Sequence, residues 1–176
     1  RYNGHDGRGY PLDDAQSAPE LAGFASVEWI TKLLNHEHYI SEEYFGGTKF
    51  KNGTMARKVL AKYTAEEIAL LPRIARLLSD MAELPYQTPL SEDEREELLA
   101  LFYNDDLVFQ DGLACIDCHD IDSEEEGYAP DLTGYGSDEW TIAFLENPED
   151  ERFYGDENDR MPCYGRDGKL TDEEIK

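Results

Sequence analysis

The chain has 176 residues, 40% of them hydrophobic, and carries 40 acidic against 16 basic residues for a net charge of −24. That length suits one medium domain or two small ones, and the apolar fraction supports folded cores. The charge argues against nucleic acid or anionic lipid as a partner, and no apolar run approaches the length of a membrane span.

The chain opens at Arg1 without a starting Met or a leader pattern, which reads as a processed or excised segment. RYNGHDGRG at the start holds His5 in a glycine-rich run. Ser26 is a predicted N-cap for a short helix carrying Trp29. YFGGTKFKNGTM then runs to Met55. Thr64 and Glu67 form a capping box ahead of a helix whose apolar face is Ile68, Leu71, Ala75 and Leu78. Pro72 falls early in that helix and is expected to bend it. ELPYQTPLS interrupts the helical pattern with Pro85 and Pro89. Ser91 and Glu94 form a second capping box, followed by Leu98, Leu99, Phe102 and Tyr103 on one face.

ACIDCHD follows, with Cys115, Cys118 and His119 in C-x-x-C-H spacing. Asp120, Asp122 and Glu124 to Glu126 read as a solvated acidic loop. Ser137 is the predicted N-cap of a helix carrying Trp140. A polar, glycine-containing stretch leads to Met161 in DRMPCYG, with Cys163 two residues on. Thr171 and Glu174 box the start of a final helix. No strand pattern stands out, so the chain is expected to be mainly α.

The chain also repeats itself. APELAGFASVEW at 18–29 answers APDLTGYGSDEW at 129–140, with Ala, Pro, Leu, Gly, Ser, Glu and Trp in register. Downstream, the stretch ending at Met55 answers the one ending at Met161, and YTAEEI answers LTDEEI. Such ordered agreement predicts a duplicated domain, divided near ELPYQTPLS into residues 1–86 and 87–176.

Three cysteines are too few for a disulfide framework. A structural zinc site usually takes four Cys and His ligands, and no second C-x-x-C or H-x-x-x-H follows the first pair. A redox dithiol expects a strand-then-helix context that QDGLACIDCHD does not supply. Two thiols at this spacing, followed at once by histidine, suit a porphyrin: each sulfur can bond one vinyl group and the imidazole then faces the iron. Trp29 and Trp140 read as packing residues, Tyr128, Tyr135 and Tyr154 as candidates to line a pocket, and Cys163 as buried or idle.

With its C-x-x-C-H, its Trp-bearing helix and its later Met-Pro, the second half resembles a class I cytochrome c. The whole chain is similar to two tandem copies, of the kind found in bacterial proteins linked to cytochrome b complexes. The resemblance implies a mainly α fold of two small cytochrome c-like domains, each incomplete at a chain end. It implies a covalent haem c on Cys115 and Cys118, with His119 as the proximal axial ligand and Met161 as the distal one. A thioether is a soft, neutral ligand that favours ferrous iron.

For the first copy three readings of the opening stand: a C-x-x-C-H whose thiols are replaced and whose histidine survives as His5, a loop that follows a motif lying before Arg1, or an ordinary loop. Met55, at the repeat position of Met161, is the candidate ligand of a second haem, with His5 the weaker one. Three function classes follow. One is an electron carrier, free or in a respiratory complex, meeting redox partners that have a basic docking face or lie within a membrane-associated assembly. The second is a structural subunit with one degenerate haem domain, and the third a dihaem peroxidase-type enzyme. Covalent haem attachment implies a periplasmic or equivalent compartment.

Overall fold

Capping chemistry sets where the helices begin. In the computed structural model, which describes residues 19–105, 108–109, 113–122 and 128–176, Ser26 Oγ accepts from Trp29 N–H (3.2 Å) to open α1, Val27–Leu33. Asn35 Oδ1 caps α2, His36–Tyr39, in the same way. Reciprocal capping boxes open α3, Ala65–Met81, at Thr64 and Glu67, and α4, Glu92–Tyr103, at Ser91 and Glu94. Ser137 Oγ accepts from Trp140 N–H (3.2 Å) to open α5, Asp138–Glu146. Thr171 and Glu174 open α6, Asp172–Ile175. Each such cap satisfies an otherwise orphaned N–H and contributes about 1 kcal/mol. A π-helical turn, Met55–Leu60, and short 3-10 turns fill the connections. The protein is mainly α, with no strand among the described residues.

The helix α3 runs unbroken through Pro72. Proline removes the N–H that would meet the carbonyl four residues earlier, at Ile68. Both Pro72 and Ile68 lie on the exposed side, so water can reach that carbonyl. Ile68 was expected on the apolar face but is 43% exposed. The buried apolar residues are Leu71, Ile74, Ala75, Leu77, Leu78 and Met81, a broader face than expected that leaves Ile68 out.

The duplication seen in the sequence has a matching backbone. Trp29 Nε1–H donates to Glu20 O (2.7 Å), and Trp140 Nε1–H to Asp131 O (3.3 Å). Glu20 N–H reaches Glu43 O (2.7 Å), as Asp131 N–H reaches Arg152 O (2.9 Å). Trp29 packs on Tyr44 as Trp140 packs on Phe153, with ring centroids 5.3 and 5.2 Å apart. Ser26 N–H to Gly23 O and Ser137 N–H to Gly134 O are both 3.0 Å. Residues 20–46 and 131–155 therefore share this set of turns and contacts.

The two units touch through equivalent positions. Phe24 meets its counterpart Tyr135 at 5.8 Å between centroids. Ala25 lies against its counterpart Gly136, where a Cβ would come within 2.5 Å of the Ala25 Cβ. Contact between equivalent residues is what a local two-fold relation produces. Only a glycine fits at 136, both for that approach and for its φ of +77°.

Helix α3, from the first repeat, packs on α4, from the second. The segment between them, read from the sequence as the joint, is pinned to α3: Ser79 Oγ donates to Gln87 Oε1 (2.6 Å) and Leu90 N–H to Asp80 Oδ1 (2.8 Å). Asp80, 3% exposed at its side chain, also pairs with Arg95 of α4 and Arg76 of α3. One core runs through both halves, from Trp29 and Leu77 to Phe102, Ile121 and Trp140. No helix among the described residues is long and apolar enough to cross a membrane.

Candidate functional site

The C-x-x-C-H stretch folds as a tight turn immediately beyond α4. A 3-10 turn spans Cys115–Asp117, with the Asp117 carboxylate accepting from Ala114 N–H (2.7 Å). Cys115 O accepts from both Cys118 N–H (3.2 Å) and His119 N–H (2.9 Å). The chain then returns to the turn: Ala129 N–H donates to Cys118 O (3.0 Å) and Leu132 N–H to Asp120 O (2.9 Å). Those two bonds place Pro130 beside the imidazole, with His119 Nδ1 2.8 Å from Pro130 O. A carbonyl oxygen can only accept, so Nδ1 carries the proton and Nε2 keeps its lone pair. This is the arrangement in which a neighbouring group orients a histidine for metal ligation.

Cys115, Cys118 and His119 share one cavity of about 150 Å³. A volume of that size is about what one aromatic ring occupies. One wall comes from the second repeat. The rest of the lining comes from the first: Leu34 beyond α1, Thr54, Met55 and Leu60 at the π-helical turn, and Leu71 of α3. Tyr63 also lines it, and its hydroxyl donates to Leu113 O (2.9 Å), tying the first repeat to the backbone just before Cys115. Tyr128 forms the rim and is 97% exposed, so the cavity has an edge towards solvent.

The apolar surroundings dictate the electrostatics. Burial pushes the Cys115 thiol up to about 12 and also raises Cys118, with the Asp117 charge adding to both. Neither thiol has the depressed value that makes a cysteine exchange disulfides readily. Burial lowers His119 below the usual histidine value, opposed by its bond to Pro130 O, so the ring is neutral and able to ligate. Among the described residues, no three His, Cys, Asp and Glu side chains converge as a protein-only metal site requires.

No protein-family model, no curated protein sequence and no solved structure matches this chain.

A c-type haem asks for two thiols, a free imidazole nitrogen and apolar walls; the residue types present match that list, while the cavity of about 150 Å³ is nearer in size to one aromatic ring than to a whole porphyrin. Met55 lines the same cavity. Sequence reasoning had assigned it to a separate haem in the first copy. Met161, expected opposite His119, is half-buried elsewhere and does not line the cavity. Its carbonyl accepts from Asn158 Nδ2 (2.8 Å), and its loop rests on the first repeat through Arg160 Nη2 to Gly47 O (2.6 Å) and Lys49 Nζ to Glu157 Oε2 (2.7 Å). His5 lies outside the described residues.

Of the three tyrosines expected to line a pocket, only Tyr128 does so. Tyr135 packs on Trp140, and Tyr154 stacks on Phe50. Trp29 and Trp140 are packing residues, as read, and Cys163 is buried at 2% exposure. Two residues of the site went unread in the sequence. Pro130 was visible only as one letter of the repeat, and Tyr63 only as the start of YTAEEI. Their roles depend on chain segments that meet in space.

Proposed function

We propose that the protein is a c-type cytochrome that carries single electrons, free or as a subunit of a respiratory redox complex. One observation carries the reading: Cys115, Cys118 and His119 border a single apolar cavity, with His119 Nδ1 held by Pro130 O and Nε2 left free. A covalently bound haem supplies a one-electron iron centre there. Cys115 and Cys118 would hold it by thioethers, and His119 would ligate through Nε2. With haem bound, a methionine thioether as second ligand would leave no position for a substrate, which suits transfer rather than catalysis. The Pro130 carbonyl fixes the tautomer and the ring orientation and raises the basicity of the ligating nitrogen. Leu34, Leu60 and Leu71 make its lining apolar. The net charge of −24 favours a partner with a basic docking face and speeds encounter with it. Covalent attachment of this kind implies a periplasmic or equivalent compartment.

Haem retention tests the reading. The protein, expressed together with a cytochrome c maturation system, should keep its haem after denaturation and extraction into acidified organic solvent. The Cys115→Ala/Cys118→Ala variant should release it. Complete release from the unsubstituted protein would refute the assignment.

A further inference from the structure

The first repeat contributes part of the lining of the cavity that holds the attachment turn, and its one sulfur there belongs to Met55. We infer that the distal ligand to the iron above His119 is Met55, supplied by the first repeat, so that one haem site is assembled across the duplication. This rests on the haem reading just given and departs from Met161, which the family resemblance implies and its Met-Pro pair and repeat position support.

Three sets of contacts converge on it. The first is the shared cavity: Met55 lines it together with Cys115, Cys118 and His119, and no residue from 140–176 does. The second is the framework that holds the two walls together. The helix α3 packs on α4, Asp80 bridges to Arg95, and Tyr63 binds Leu113 O, so the turn bearing Met55 and the turn bearing Cys115 belong to one packed body. The third is where Met161 is held. The salt bridge Lys49–Glu157, the Phe50–Tyr154 stack (5.1 Å) and the Arg160–Gly47 bond fasten its loop to residues 47–50, a few residues before Met55.

The chemistry suits the position. The thioether of Met55 is neutral, needs no deprotonation and can sit in an apolar wall without a desolvation cost, while remaining a soft ligand that favours ferrous iron. The competing reading is that Met55 only fills the cavity wall, which its partly buried place against the core allows. Met55→Leu separates the two, because leucine preserves the apolar volume and removes the sulfur.

The test compares Met55→Leu, Met161→Leu and the unsubstituted protein, all haem-loaded. Covalent haem content is measured on denatured samples and axial ligation on folded ones. Met55→Leu should keep its covalent haem yet lose the weak sulfur-to-iron charge-transfer band at the red end of the oxidised spectrum, and its reduction potential should fall. Met161→Leu should leave band and potential unchanged. Loss of the band in Met161→Leu with retention in Met55→Leu would overturn the inference, as would retention in both. Absence of covalent haem in the unsubstituted protein would instead refute the haem reading itself.

A second measurement needs no haem. In the unloaded protein, Met55→Cys should be joined to Cys115 or Cys118 by a short bifunctional thiol reagent and Met161→Cys should not. Failure of Met55→Cys to cross-link would overturn the shared cavity.

Discussion

Asp80 is the charged residue on which the packing of α3 against α4 turns, and replacing it should unfasten the two repeats. Its side chain is 3% exposed, while its partners Arg95 and Arg76 are 44% and 27% exposed. Asp80 Oδ1 also accepts from Leu90 N–H at 2.8 Å. Removing one member of a buried ion pair costs about 3–5 kcal/mol when the partner is left buried and unpaired. Both arginines reach water here and stay solvated, so Asp80→Asn should cost about 2–3 kcal/mol, since the amide oxygen still accepts from Leu90. Asp80→Ala orphans that N–H as well, adding about 1–3 kcal/mol. At about 2–4 °C per kcal/mol for a chain of this size, Asp80→Asn should lower Tm by about 4–12 °C. Urea unfolding followed by circular dichroism gives the free energies directly. Glu28→Gln serves as the control, because its pair with Lys32 is exposed on α1 and should leave the midpoint unmoved. An Asp80→Asn variant within about 0.5 kcal/mol of the unsubstituted protein would refute the view that this ion pair clamps the halves together.

Two further outcomes follow from local geometry. Gly136→Ala must place a Cβ 2.5 Å from Ala25 Cβ at a φ of +77°, whereas at Gly155 the φ is +49° and nothing lies within 4 Å. Gly155→Ala should therefore cost only the left-handed strain, about 1–2 kcal/mol, and Gly136→Ala about 2–5 kcal/mol; equal costs in urea unfolding would mean that the repeats do not meet at this point. The Glu94 carboxylate is held below its usual 4.5 by the Ser91 hydroxyl and then by the Ser91 N–H. A depressed folded value means the unfolded chain binds the proton more readily, so this cap stabilises above about pH 4.5 and is lost as pH falls below it. An NMR titration of the Glu94 carboxyl should give a lower midpoint than in Ser91→Ala, and equal midpoints would show that the box does not form in solution.

Short-range chemistry made much of this protein legible from its sequence. Ser26, Thr64, Ser91, Ser137 and Thr171 all begin helices, because an N-cap bonds to backbone two or three residues away and needs no distant partner. The repeat was legible for a related reason: the same local residues rebuild the same turn, down to the Trp indole bonds. The tight turn at Cys115, Cys118 and His119 is likewise written in five consecutive residues. Tertiary structure decided what faces that turn. Equivalence of Met55 and Met161 in the repeat says nothing about which of them lies nearer in space, since that depends on how α3 sits on α4 and on where Lys49 and Arg160 fasten the loops. Those contacts join residues 15 to more than 100 positions apart, and their strength comes from burial and charge pairing that exist only once the chain has closed. For the same reason a boundary marked by two prolines coincided with a segment bonded along α3, because proline breaks a helix locally but cannot tell whether the chain beyond it turns away or folds back.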